Sequence, residues 1–98
     1  MEEKDLINST IASSSQLFGE EVQVMEKEMF LTWLREKVQD LLDHDFNRLV
    51  GLLYRIDVYE SKARECFGKS NKEIAACLAE LIWERQLQKA KSRFDNGQ

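Results

Sequence analysis

Six consecutive residues, Asp43-His44-Asp45-Phe46-Asn47-Arg48, hold the only histidine of the chain between two carboxylates. An imidazole among acids is the raw material of a metal site or an acid–base pair. Spacing tests each chemistry. A calcium loop would take Asp43, Asp45 and Asn47 as its first three ligand positions, then require glycine at the sixth and glutamate at the twelfth. Those positions hold Arg48 and Tyr54. A transition metal would use Glu36, Asp40 and His44, one per helical turn, yet such ions prefer more nitrogen or sulfur than a single histidine supplies. A Cys–His nucleophile would need His44 to reach Cys66 or Cys77. A reading without a ligand explains all three residue types. Asp43 or Asp45 caps a helix starting at Phe46, and His44 ends the preceding helix, where positive charge is favoured.

Other candidates meet the same test. Cys66 and Cys77 are eleven residues apart and lack the C-x-x-C spacing of zinc or redox motifs, so they read as reduced, buried structural thiols. Arg55 and Arg85 stand beside apolar and aromatic residues, in Tyr54-Arg55-Ile56-Asp57 and Trp83-Glu84-Arg85-Gln86. Either arginine could hold an anion, but bracing of helices through Asp57, Glu80 or Glu84 is the favoured reading. Four isolated glycines make no phosphate-cradling loop, and no serine sits in a nucleophile elbow. No catalytic, cofactor-binding or metal-ligating residue is assigned, and a non-enzyme is expected.

The elements that must position these residues are helical. The chain has 98 residues, no proline and few β-branched residues, which favours helices over strands. At 43% hydrophobic and 33% charged it is a folded chain of one domain rather than a disordered one. Ile7, Ile11 and Phe18 share a face of a helix near 3–18 that Gly19 can stop. Residues 1–19 read as a peripheral or swapped N-terminal helix. The stripe continues as Val22, Met25, Met29 and Trp33, so one longer helix through Gly19 stays open. A second helix is expected near 20–42, with Phe30, Leu34, Val38, Leu41 and Leu42 on its apolar face. A third spans 45–56. Asp57 and Glu60 resemble a capping box for a short fourth helix that Gly68 stops. Ser70-Asn71-Lys72-Glu73 opens a final helix near 71–94. The expected fold is all-α: an irregular, mostly antiparallel bundle of four to five helices in a single domain, 1–98. Its expected core is Val38, Leu41, Phe46, Leu49, Leu53, Ile56, Ala63, Phe67, Ile74, Leu78 and Leu81.

In the last helix, Ile74, Leu78 and Leu81 fall on one side at about 100° per residue. Trp83, Leu87, Ala90 and Phe94 fall roughly opposite. This spacing predicts that the buried face changes sides along the helix. The second half must then meet a different neighbour: the N-terminal helix, through Ile7 and Ile11, or a second subunit. Arg85, Lys89, Lys91 and Arg93 form a basic cluster near the C-terminus.

Residues 1–45 carry 11 acids and 4 bases, a charge of −7, whereas residues 46–98 carry 7 acids and 10 bases, a charge of +3. Halves of opposite sign attract each other within or between chains. An isoelectric point near 5.0 argues against nucleic acid as the main ligand. The acidic N-terminus lacks the pattern of a secretion signal, and no apolar run is long enough for a membrane span. Cytoplasmic location is the expectation.

Phe46–Val58, FNRLVGLLYRIDV, and Leu78–Arg93, LAELIWERQLQKAKSR, resemble a set of small all-helical bacterial proteins of unknown function. Those carry a similar L-Y-R-I-D-V stretch followed by L-I-x-E-R-Q-x-Q-K. The resemblance covers the last half to two-thirds of the chain. It implies a compact cytoplasmic helical protein and brings no activity, cofactor or catalytic residue. The function expected is therefore a non-catalytic interaction module, self-associating as a dimer through Ile7, Ile11, Trp83, Leu87, Ala90 and Phe94. The alternative is a small nucleic-acid or regulatory-partner binder using Arg85, Lys89, Lys91 and Arg93.

Overall fold

A computed structural model describes residues 3–23 and 25–95. Among these residues five helices follow in order: α1 (Glu3–Gln16), α2 (Lys27–His44), α3 (Phe46–Arg55), α4 (Glu60–Phe67) and α5 (Asn71–Asp95). No strand forms among the described residues, so the fold is the all-α bundle that composition indicates. No described helix is long and apolar enough to cross a membrane.

The long helix α5 is the spine. It packs along α2 on one side and α1 on the other, and α4 folds back onto its first half. The interior of this arrangement is Phe30, Leu34 and Val38 of α2 against Leu78, Ile82 and Trp83 of α5. Leu49, Leu52, Leu53 and Ile56 cover one end from α3 and its C-cap. Four rings meet in series at the other end. Phe30 lies 5.3 Å from Trp33 and 5.8 Å from Trp83, and Phe18 meets Trp33 edge-on at 5.8 Å. Such pairs add about 1 kcal/mol each beyond the area they bury.

The helix ends follow local chemistry. Gly19 has φ +72°. Its N–H donates to the carbonyl of Gln16, and that of Glu20 to the carbonyl of Ser15, the paired bonds of a left-handed helix stop. This closes α1 and corrects the expectation of a second helix from residue 20. Residues 20–23, 25 and 26 are not helical, and α2 begins at Lys27. Val22 and Met25 still touch the core, but from an irregular strap. Their spacing matched a helix by coincidence. An ion pair between Lys37 and Glu20 ties the strap to α2.

Asp45 is the cap of α3, accepting from the Arg48 backbone N–H at 3.3 Å. Asp57 does not cap α4 as its spacing with Glu60 suggested. Tyr59 occupies that place. Asp57 instead takes φ +65° and ends α3. Its N–H donates to Tyr54 O and the Val58 N–H to Leu53 O, the same stop that Gly19 makes, with a residue type that tolerates the left-handed region. Ser70 and Glu73 do meet across the first turn of α5, Ser70 Oγ donating to Glu73 Oε1 at 2.8 Å.

Two further expectations are corrected. The buried residues of α5 are Ala75, Leu78, Ala79, Ile82, Trp83, Gln86 and Ala90. At 100° per residue these form one continuous stripe. The face does not change sides. Ile74 and Leu81 are one flank of that stripe, and Leu87 and Phe94 the other. Its centre is made of alanines and a glutamine, which a search for large apolar residues passes over. Phe46, expected in the core, is 48% exposed. The buried face of α3 runs through Leu49, Leu52, Leu53 and Ile56, and Phe46 lies on its flank.

Candidate functional site

The segment Asp43–Arg48 is a helix junction. His44 is the last residue of α2. Its Nε2 lies 3.9 Å from Asp40 Oδ1, one turn back, and both side chains are exposed. Asp43 accepts from Gln39 Nε2 at 3.1 Å. Asp45 caps α3. Each of the three residue types thus has a structural partner or role.

Of the residues read as a self-association surface, Trp83 is 4% exposed and Ala90 and Ile11 are buried, all within one chain. The indole of Trp83 lies against Phe30, with Lys27 Nζ 5.8 Å from its centroid. Ile7 packs against the core from α1, and Leu87 and Phe94 are half-buried. The seam between α1 and α5 is small and polar. Thr10, Ser14 and Ser15 face it from α1, and Gln86 from α5. Gln86 Nε2 donates to Ser13 Oγ at 3.4 Å, while Gln86 Oε1 and Ser14 Oγ are buried without a partner.

Arg85 of the basic cluster turns inward. Its Nε donates to the carbonyl of Ile56 at 3.0 Å, filling an acceptor that the end of α3 leaves open. Its Nη2 lies 3.7 Å from the Asp57 carboxylate. It is a brace between α5 and the α3–α4 turn, as favoured from its neighbours in sequence. Lys91 and Arg93 are exposed and Lys89 is half-buried. Arg55 is exposed on α3.

The cysteines overturn their reading. Cys66 of α4 and Cys77 of α5 are joined in a disulfide, with their Cα atoms 5.4 Å apart. Spacing gave no hint of this, because the Gly68 turn that brings the two helices face to face is a property of the fold.

The surface that sequence reasoning missed lies between α3 and α4. Phe46, Val50 and Tyr54 are spaced by four along α3, on the flank that the core leaves open. Tyr54 is 88% exposed, and Tyr59, at the start of α4, is 75% exposed. Between the helices runs a groove of 530 Å³ lined by Val50, Leu53, Tyr54, Val58, Ala63 and Phe67 among others. Phe46 and Phe67 close one end, their rings edge-on at 5.6 Å. The turn at Asp57 closes the other. Its walls are apolar, and its polar rim is Asp57, Glu60 and Arg64. Glu60 and Arg64 already pair with each other. This arrangement suits docking of an apolar side chain far better than acid–base or phosphate chemistry. The available signal was the four-residue spacing of Phe46, Val50 and Tyr54, which the larger apolar stripe of α3 hid. Comparison with protein-family models, with curated proteins and with solved structures finds no match for this chain.

Proposed function

We propose that the chain is a non-catalytic protein-interaction module that associates with a second copy of itself through the α3–α4 face. The carrying observation is that exposed tyrosines and an apolar groove lie on the same face. A two-fold contact requires one patch to complement itself. Tyr54 and Tyr59 are projecting knobs, and the 530 Å³ groove beside them is a hole for such a knob. Aromatic anchors in pockets dominate interfaces of this kind. Charge fits the same partner. Asp45 caps the start of α3 and Arg55 is in its last turn, so antiparallel pairing of two α3 helices sets Asp45 of each copy toward Arg55 of the other.

Light scattering behind size exclusion tests this on the intact chain. A dimer is expected in the wild type, and a monomer of unchanged helix content in a Val50→Glu, Tyr54→Glu variant. A wild type that stays monomeric at high micromolar concentration refutes self-association.

A second arrangement has its own observation. Residues 17–23, 25 and 26 carry no α-helix or strand, and the α1–α5 seam buries Ser14 Oγ and Gln86 Oε1 without partners. Exchange of α1 between two copies would reuse Ile7, Ile11, Trp83, Leu87, Ala90 and Phe94 as an intermolecular contact at low cost. A dimer that survives the Val50→Glu, Tyr54→Glu change selects this arrangement. Nucleic-acid binding through Lys89, Lys91 and Arg93 has less support, because Arg85 is engaged with Ile56 and Asp57. The proposal keeps the cytoplasmic location and the kinship with small helical bacterial proteins. In that compartment a formed disulfide is typically a reversible one.

A further inference from the structure

We propose that the Cys66–Cys77 disulfide is a redox latch that holds α4 in place and thereby sets the shape of the α3–α4 groove. The helix has few other attachments. It is eight residues long, well under the length at which a helix persists by itself. Cys66 is its only buried residue, at 1% exposure. Tyr59 gives its first turn no side-chain cap. Its one internal ion pair, Arg64 with Glu60, is exposed on both sides and contributes little.

Space flanks the helix on two sides. The 530 Å³ groove separates it from α3. A second cavity of 160 Å³, lined by Val58, Tyr59, Lys62, Leu81, Arg85 and Gln88 among others, lies between its N-terminal end and α5. With the sulfurs parted, α4 is held on α5 by packing alone: the buried Cys66 side chain, the partly buried Ala63 and Phe67, and the edge of Phe67 on Phe46. The other core residues from Phe30 to Ile82 come from α2, from α3 and its C-cap, and from α5.

The exchange chemistry is direct. Cys66 is sealed and Cys77 is half-buried, so a dithiol reductant attacks the sulfur of Cys77. The disulfide breaks, its electron pair leaves on the sulfur of Cys66, and that thiolate takes up a proton. The second thiol of the reductant then attacks the mixed disulfide. Cys77 departs as a thiol, and the reductant leaves as its own disulfide. Two protons and two electrons pass from the reductant to the cysteine pair. The helix is then free to lift from α5, and the wall that Tyr59, Ala63 and Phe67 give the groove moves with it.

The effect on self-association rests on the proposed dimer face; the latch itself does not. Hydrogen exchange read by mass spectrometry, on the full chain diluted to the monomer, with and without dithiothreitol, separates the two. At the shortest labelling times, residues 58–68 should lose protection on reduction, while 30–41 and 78–90 keep theirs. A Cys66→Ser, Cys77→Ser variant should show the reduced pattern without reductant. If 58–68 stay protected, the bond holds nothing, and if all regions lose protection together, it is a staple of the whole fold; either result overturns the latch. Light scattering of both forms then reads the consequence. A dimer weakened by reduction supports control of the face, whereas an equally strong dimer in both forms overturns that control and leaves the latch standing.

Discussion

The two sides of this molecule use similar residues differently. On the α1–α2–α5 side, Phe18, Phe30, Trp33 and Trp83 interlock, and Phe30, Leu34, Val38, Leu78 and Ile82 are sealed from solvent. On the α3–α4 side, Phe46, Val50, Tyr54 and Tyr59 are just as apolar or aromatic and lie open around a groove. A chain of 98 residues buries only about two-thirds of the surface its unfolded form exposes. It can close one core completely. Here that core lies where the long helices meet, and the short helices hold the remainder in place with a covalent bond and an arginine brace. Apolar content alone therefore does not separate core from contact surface. What separates them is whether a second element stands opposite.

Truncation of one ring on each side gives the largest contrast. Phe30→Ala empties a site walled by Trp33 and Trp83, and should cost about 3–5 kcal/mol in chemical denaturation. Phe46→Ala removes a ring that is half in water, and should cost well under half as much. Equal losses would mean that the two sides are packed alike.

Next in size is the covalent bond. Replacing Cys66 and Cys77 together by alanine releases a loop of eleven residues' separation, and chain entropy puts the lost stability at about 3 kcal/mol. Thermal unfolding of the variant against the oxidised wild type measures it. No loss would show that the open side does not need its tether.

The closed side has a flaw that Gln86→Met probes. Gln86 is buried on the α1–α5 seam, its Oε1 without a partner and its Nε2 in a long bond to Ser13. An orphaned acceptor costs about 1–3 kcal/mol, more than that bond returns. Methionine has nearly the same shape and no such need. The variant should be more stable by about 1 kcal/mol. If it is less stable, the glutamine is better satisfied than its neighbours indicate, and exchange of α1 loses its rationale.

How much of this was legible in the sequence depended on whether the cause was local. The helical class follows from composition. Gly19, Asp45 and the Ser70–Glu73 pair act within four residues, and each ends or begins a helix where its chemistry dictates. Asp57 was misassigned because two local motifs share its type: an aspartate can cap a following helix or take the left-handed stop of a preceding one. The Arg85 carbonyl bond across 29 positions favours the second, and no local pattern contains it. The α5 stripe was misread for a related reason. Large apolar residues mark the flanks of a closely packed helix, while its centre goes to alanines that let a neighbour approach. The disulfide and the groove are both products of how α4 sits on α5. They became visible only when those two helices were placed together.

The smallest expected change is the sharpest test of the open side. Tyr54 is 88% exposed, and substitutions at such positions shift stability by about 0.5 kcal/mol or less. Tyr54→Ser should therefore leave the Tm of the dilute protein nearly unchanged. Concentration is the second axis. A dimer that forms only from folded chains raises Tm as protein concentration rises. The wild type should show that rise, and Tyr54→Ser should flatten it. A slope that persists in the variant would move the contact elsewhere on the molecule, with exchanged α1 helices first in line. A large drop in Tm at low concentration would instead mean that the tyrosine is already held by its own chain, and that the α3–α4 face is part of the core.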